Sequence, residues 1–261
     1  MRKTSLLTGL LMLVAATASF AKFPGLLQRY ELFYTYPISW AEYVRKDKIY
    51  VPGASVSIDT TMTYNVQSKF AYGAGIGTYF PLKQMGKQSK LALDVSFLAN
   101  LYTFDYPTST FSGINSDGTF DYNDGIAFSA VTMSVAVPIG VSAKIGCDAM
   151  QDKKIRWCWS GGVGVYPSYN LSVDFDNIDA QFAVQPYVRT EVGIYAGICM
   201  KLRAQFAFLD APYMKMGSKN TFSGFGNESN TSLTSKGNLN LSLVIMPFAW
   251  TWKRSEWWNT Y

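Results

Sequence analysis

From residue 51 onward the chain alternates with a period of two. Val56, Ile58, Thr60, Met62 and Tyr64 interleave with Ser55, Ser57, Asp59, Thr61 and Thr63. The same alternation recurs over residues 72–80, 91–101, 131–145, 156–165, 181–194, 200–208 and 238–245. Successive strand side chains point to opposite faces, so each segment has an oily face and a more polar one. These are eight strands, several of ten residues or more. Membrane-crossing strands need about 9–11 residues, whereas soluble strands cluster near five or six. The pattern therefore predicts an all-β, antiparallel up-and-down transmembrane β-barrel of eight strands, covering residues 51–252.

Two prolines interrupt the reading. Pro138 and Pro186 fall inside strands, where each removes a ladder donor; Pro138 is expected at a bulge or at the rim. Residues 22–50 read as a short N-terminal lead-in. Within it, residues 30–36 alternate loosely until Pro37. Residues 39–48 (SWAEYVRKDK) could form an amphipathic helix capped by Ser39. Residues 253–261 form a C-terminal tail.

The connections alternate in character. Those at 83–89, at 146–154 and near Gly197 are short or moderate; those at 106–124 and 210–235 are long and rich in Ser, Thr, Asn, Gly and Asp. Outer-membrane barrels have short periplasmic turns and longer outer loops. The two long connections are thus the expected outer loops and the expected contact points for an extracellular ligand or partner. The connections near Gln67 and Asp176 fall on the same side and are short.

The N-terminus bears on compartment. Met1-Arg2-Lys3 precedes an apolar stretch over residues 6–18, and Ser19-Phe20-Ala21 supplies small residues where a signal peptidase reads. A leader over residues 1–21, cleaved after Ala21, is expected. After it there is no run of 18 apolar residues, so spanning helices are not expected. Yet the chain is 48% hydrophobic and only 16% charged, well below the roughly 25% charged residues of a soluble domain. Lipid contact would absorb that apolar content. A net charge of +5, scattered along the chain, does not point to nucleic acid.

The polar faces carry Asp59, Asp94, Lys144, Arg156, Arg189, Glu191, Lys201 and Arg203, all inward if the registers hold. An eight-stranded barrel is about filled by its own side chains. Mixed charges there should pair into a plug, since isolated buried charge is costly; a narrow cationic conduit is the alternative. Trp157, Trp159, Trp250 and Trp252 are expected at the periplasmic interface, and Tyr102, Phe104 and Tyr106 at the opposite one. Cys147 and Cys158 flank one turn and could form a disulfide, or all three cysteines, with Cys199, could remain thiols. No cysteine spacing resembles a metal site, and no cofactor motif is present. Gly73-Ala74-Gly75-Ile76-Gly77 is read as strand glycines that ease curvature or inward packing, not as a phosphate loop.

With a leader, eight dyad strands, a Val137-Pro138-Ile139-Gly140 passage late in the fourth strand and an aromatic-rich last strand, the chain resembles the small OmpA-like transmembrane barrels. It looks especially like the single-barrel outer-membrane proteins of Bacteroidota, over about residues 51–252. The resemblance implies localisation in the outer membrane of a Gram-negative cell, with outer-membrane lipid as the main partner; the oligomeric state stays open. Lys253 onward runs past the last strand, whereas the family often ends on it.

Histidine is absent from the whole chain. Hydrolysis and acyl transfer of the Ser-His-Asp kind need an imidazole to shuttle the proton, so no catalysis is expected. Three functions remain: a structural, adhesion or surface-interaction barrel; a porin-like barrel passing small solutes; and a soluble periplasmic, lipocalin-like carrier. The last would place its apolar face inward.

Overall fold

The structure is a computed structural model that describes residues 24–50, 57–106, 109–114, 120–124, 128–174, 177–220 and 227–252. The expected leader and C-terminal tail lie outside them. One helical turn, α1 (Pro24–Leu27), precedes β1 (Glu31–Tyr50), β2 (Ser57–Gln67), β3 (Phe70–Gly86), β4 (Ser89–Tyr106), β5 (Ser109–Ile114) and β6 (Phe120–Asp124). Then follow β7 (Phe128–Ala136), β8 (Ile139–Gly146), α2 (Cys147–Met150), β9 (Trp157–Asp174), β10 (Asn177–Tyr195), β11 (Cys199–Asn220), β12 (Asn227–Met246) and a 3-10 turn, Pro247–Thr251.

Antiparallel pairing closes the sheet. β1 pairs with β12 on one side and with β2 and β3 on the other. β2 and β3 are one long strand broken at Ser68-Lys69, and β7 and β8 are one strand broken at Val137-Pro138. Counted so, eight antiparallel strands form a ring, β1, β2/β3, β4, β7/β8, β9, β10, β11 and β12. β5 and β6 pair only with each other, as a hairpin inside the connection read as residues 106–124.

The eight-strand count is right, but its composition changes. The expected lead-in contains the first barrel strand, β1, and no helix forms at residues 39–48. The alternating segments 55–64 and 72–80, two strands by sequence pattern, fall in the two halves of one. Pro37 does not end β1. It sits opposite Asn240 in the β12 ladder, and the other ladder lapses between Thr35 and Trp40, where a missing donor is tolerated. Pro138 lies at neither a bulge nor a rim. The register continues across it from Ser168↔Ala136 to Ile139↔Val165. Its carbonyl still accepts from Ser96 N at 3.0 Å, so the strand loses only one bond. Pro186 continues β10 opposite Val165 without a shift.

The turns at residues 87–88, 147–156 and 196–198, together with α1 and the 3-10 turn, form the lower end. The opposite ends of the strands, at Tyr50, Tyr106, Asp174 and Asn220, mark the upper end. Residues 210–235 are mostly not a loop: β11 and β12 pair through Asn220↔Asn227. β11 is 22 residues long, roughly 70 Å of extended chain. At a tilt of about 35–45° it outruns the apolar band of about 25 Å expected of such barrels. β2, β1, β12 and β11 thus continue together above the ring as a four-stranded sheet.

Large inward side chains are accommodated by facing glycines. A Cβ on Gly73 would fall 2.0 Å from Asn100 Oδ1, and one on Gly75 would fall 2.4 Å from the Phe33 ring. On the opposite wall Tyr187 covers Gly140 and Gly164. A Cβ on Gly140 would lie 2.4 Å from Tyr187 Oη and 2.5 Å from the Val163 carbonyl oxygen. The neighbouring backbone cannot yield cheaply. Gly140→Ala is therefore expected to cost about 1–3 kcal/mol by overpacking, read as a lower urea midpoint of the refolded barrel.

Candidate functional site: a closed, charged lumen

The two faces of the wall are opposite in character. Leu32, Tyr34 and Tyr36 of β1, Val184, Val188 and Val192 of β10, and Leu241 and Leu243 of β12 all point outward and are exposed. Thr35, Ser39, Asn100, Ser134, Gln185, Asn240 and Ser242 point inward and are buried. Phe206 is 37% exposed and Arg203 only 4%. A lipocalin-like carrier needs the reverse arrangement, so that reading does not fit this wall.

Aromatic side chains cluster on the outer face of β1, β3 and β11. Trp40 meets Phe206 edge-on at 6.4 Å, Phe70 meets Tyr72 at 5.4 Å, and Phe206 stacks on Phe208. Trp157, Trp159 and Trp250 are exposed near the lower end. Trp252 is not interfacial. It is 1% exposed, stacks on Tyr195, and donates from its indole N–H to the Gln28 carbonyl at 2.9 Å. This contact ties the C-terminal turn to the N-terminal one beneath the lumen. Tyr102 and Phe104 also face inward and are fully buried; their positions share parity with Asn100 and the polar face of β4. The side chain of Tyr106 lies outside the described residues.

Inside, three layers follow one another from top to bottom. The upper layer is aromatic: Tyr102 stacks on Phe104 and Tyr213 at 6.0 and 5.8 Å, Phe104 meets Tyr213 at a tilt at 5.7 Å, and Tyr43 and Leu233 belong to the same cluster. The middle layer is amide and hydroxyl. Asn100 Nδ2 donates to Asn240 Oδ1 at 3.1 Å and to Tyr166 Oη at 3.4 Å, and Thr35 shares a 2.8 Å hydrogen bond with Ser242.

The third layer is the charge network. Lys144 reaches Asp94 at 3.1 Å and Asp148 at 3.6 Å. Arg189 bonds Asp94 at 2.5 Å and Glu191 at 3.3 Å. Lys201 bonds Glu31 at 2.5 Å, Asp148 at 3.0 Å and Glu191 at 3.1 Å. Arg203 bonds Glu191 at 2.6 Å and also pairs with Glu31. Four cations and four carboxylates are thus linked without an obvious excess of either sign. Every side chain in the network is at most 6% exposed. Each removes the uncompensated burial that would make its partners intolerable.

Six of the eight inward charges expected from alternation belong to this network: Asp94, Lys144, Arg189, Glu191, Lys201 and Arg203. Asp59 does not. It lies on β2 above the ring, exposed, opposite Lys48. Arg156 does not either; it is exposed at the lower end, one residue before β9 begins at Trp157. Two members were missed. Glu31 opens β1, and extending the alternation upstream through Phe33, Thr35 and Ser39 would have found it. Asp148 sits in α2, where no period applies. Tyr79 holds α2 under the lumen by donating to the Asp148 carbonyl at 2.5 Å.

Cys147 and Cys158 are not bonded to each other; with Cys199 they are buried free thiols. All three sulfurs gather beneath the network. The glycine cluster of β3 lies within a strand against Asn100 and Phe33, as a packing feature.

No protein-family model and no curated protein matches the chain. Solved structures do. Outer-membrane protein OprG of Pseudomonas aeruginosa matches with 10% identity and a TM-score of 0.41, covering 83% of this chain and 96% of that one. The outer membrane protease OmpT of Escherichia coli matches with 8% identity and a TM-score of 0.35, covering 83% and 96%. Ail, the attachment invasion locus protein of Yersinia pestis, matches with 6% identity and a TM-score of 0.30, covering 79% and 97%.

Proposed function

We propose that the chain is an integral outer-membrane β-barrel that stays closed, performs no catalysis, and acts through the part of it that stands above the membrane. The observation that carries this reading is the filled lumen: an ion-paired layer, an amide layer and an aromatic layer lie in series between the two ends. The lower end is periplasmic and the upper end outward, in keeping with the longest connection, between β4 and β7, which leaves the upper end. The absence of histidine supports the non-catalytic part, as does the engagement of each network carboxylate by a cation. A pore for small solutes has no support in this interior.

The raised sheet is the part suited to surface interaction. On its outer side Val44, Lys46, Lys215, Asn230 and Ser232 line a shallow groove. Below it, Lys236 bridges Glu42 and Asp210, each at 2.9 Å. A structural or adhesive role would use this sheet and the connections beside it.

Planar-bilayer recording of the purified, refolded chain tests the closed state. The expected trace is flat, without unit steps, at ordinary salt and voltage. Reproducible single-channel steps would overturn the reading and favour the solute pore.

A further inference from the structure

All the cysteines of this chain converge at one point. Cys147 opens α2, Cys158 points inward from β9, and Cys199 begins β11. Their sulfurs all lie within 4.8 Å of one another, and none of the three residues is more than 4% exposed. Two glycines make this possible. Gly146, at φ 90°, turns the chain from β8 into α2. Gly193, on the strand between β9 and β11, leaves the gap through which Cys158 reaches; a Cβ there would lie 2.9 Å from Cys158 Sγ.

The arrangement suits a metal better than a Cys158–Cys199 disulfide. β9 and β11 are separated by β10, and Cys158 is level with Lys201, two residues beyond Cys199, so the Cα atoms of Cys158 and Cys199 are roughly 11 Å apart. A disulfide needs less than about 7 Å. Three sulfurs around one ion, with bonds of about 2.3 Å, stand roughly 4 Å from each other, within the observed spread. The surroundings are soft as well. Met246 faces Cys199 across the β11–β12 ladder and is fully buried in the same cluster. Thiolate and thioether donors together select a soft ion such as Cu(I).

We infer that Cys147, Cys158 and Cys199 form a buried site for a thiophilic d10 cation, represented by Cu(I), at the lower end of the barrel. As three Cu–S bonds form, three S–H protons leave to solvent and no electron moves. The product carries two excess negative charges. The ammonium groups of Lys201, two residues beyond Cys199, and Lys144, 4.4 Å above the Tyr79 ring of the same cluster, lie on that side of the network; both are also paired with carboxylates, so they offset the excess charge in part. The 3-10 turn with Ala249 and Trp252 closes the site from below.

The test is anaerobic titration of the reduced, refolded full chain with Cu(I) against a competing chelator. One equivalent should bind, and each of Cys147→Ser, Cys158→Ser and Cys199→Ser should weaken binding at least tenfold while retaining heat-modifiable gel migration. Should a variant not fold, X-ray absorption of the copper-loaded wild type decides: a shell of three or four sulfurs supports the site, and an oxygen or nitrogen shell overturns it. Absence of stoichiometric binding, or binding unchanged in a folded cysteine variant, also overturns it. So does a Cys147–Cys158 disulfide recovered in full from thiol-blocked membranes. None of these outcomes depends on whether the barrel conducts.

Discussion

Replacing Glu191 by alanine should destabilise the folded barrel by about 3–5 kcal/mol, because it leaves buried cations without a counter-charge. Glu191 uses both carboxylate oxygens. One accepts from Arg203 at 2.6 Å and lies 3.3 Å from Arg189; the other meets Lys201 at 3.1 Å and Ser160 at 3.0 Å. No other residue of the network touches three of its cations. Glu191→Gln should recover little of the loss, since it restores the shape and not the charge. Lys236→Ala is the contrast. Lys236 is also doubly ion-paired, but its side chain is 42% exposed, and such pairs contribute about 0–1 kcal/mol. Urea titration of the refolded proteins would measure both. Comparable small losses for the two would mean that water fills the lumen and solvates the network, against the closed-barrel reading.

The second large effect concerns the outer wall. Val188→Arg puts a charge midway along β10, on the apolar face. In a bilayer this costs about 2–4 kcal/mol near the midplane. On a water-exposed wall the same change would stay within about 0.5 kcal/mol, because Val188 is already 45% exposed. Thr63→Arg, on the exposed face of the raised part of β2, should stay within about 0.5 kcal/mol in either case. Unfolding in lipid vesicles distinguishes the outcomes. A neutral Val188→Arg would place this wall in water.

The fold was legible wherever period two held over a long stretch with one apolar face. That covers β4, β7 to β10, the lower parts of β11 and β12, and the inward direction of six network residues. It failed where a proline was given too much weight. Pro37 and the run SWAEYVRKDK hid β1, although Leu32, Tyr34 and Tyr36 already alternate with Phe33, Thr35 and Pro37. Helical charge spacing at residues 39–48 competed with strand pairing. Pairing to β12 on one side and β2 on the other decided the outcome. The break at Ser68-Lys69 looked like a turn, because a short irregularity and a true connection have the same polar composition. The run from 210 to 235 was misjudged for a related reason. Above the apolar belt a strand no longer needs an oily face, so its sequence reads as a loop.

The site was half visible. Alternation gives facing but not height, so Asp59, above the ring, could not be told from Asp94, within it. Nor does alternation reach into a turn, which concealed Asp148. The cysteine cluster was beyond reach for a topological reason. Its members come from α2, β9 and β11, and only ring closure together with the gap at Gly193 brings them together. Trp252 was misplaced because an aromatic near a strand end can sit either in the interface or beneath a barrel; the hydrogen bond to Gln28 decides it.

Accessibility of spin labels in lipid vesicles tests the central claim most directly, that a polar-cored, closed barrel turns its apolar face to a bilayer. Single labels at Val184, Val188, Leu202 and Phe206, in a cysteine-free background, should be relaxed by oxygen and hardly by a water-soluble nickel chelate. A label at Lys46, on the raised sheet, should respond in the opposite way. Strong nickel relaxation at Val188 and Leu202, equal to that at Lys46, would contradict the account.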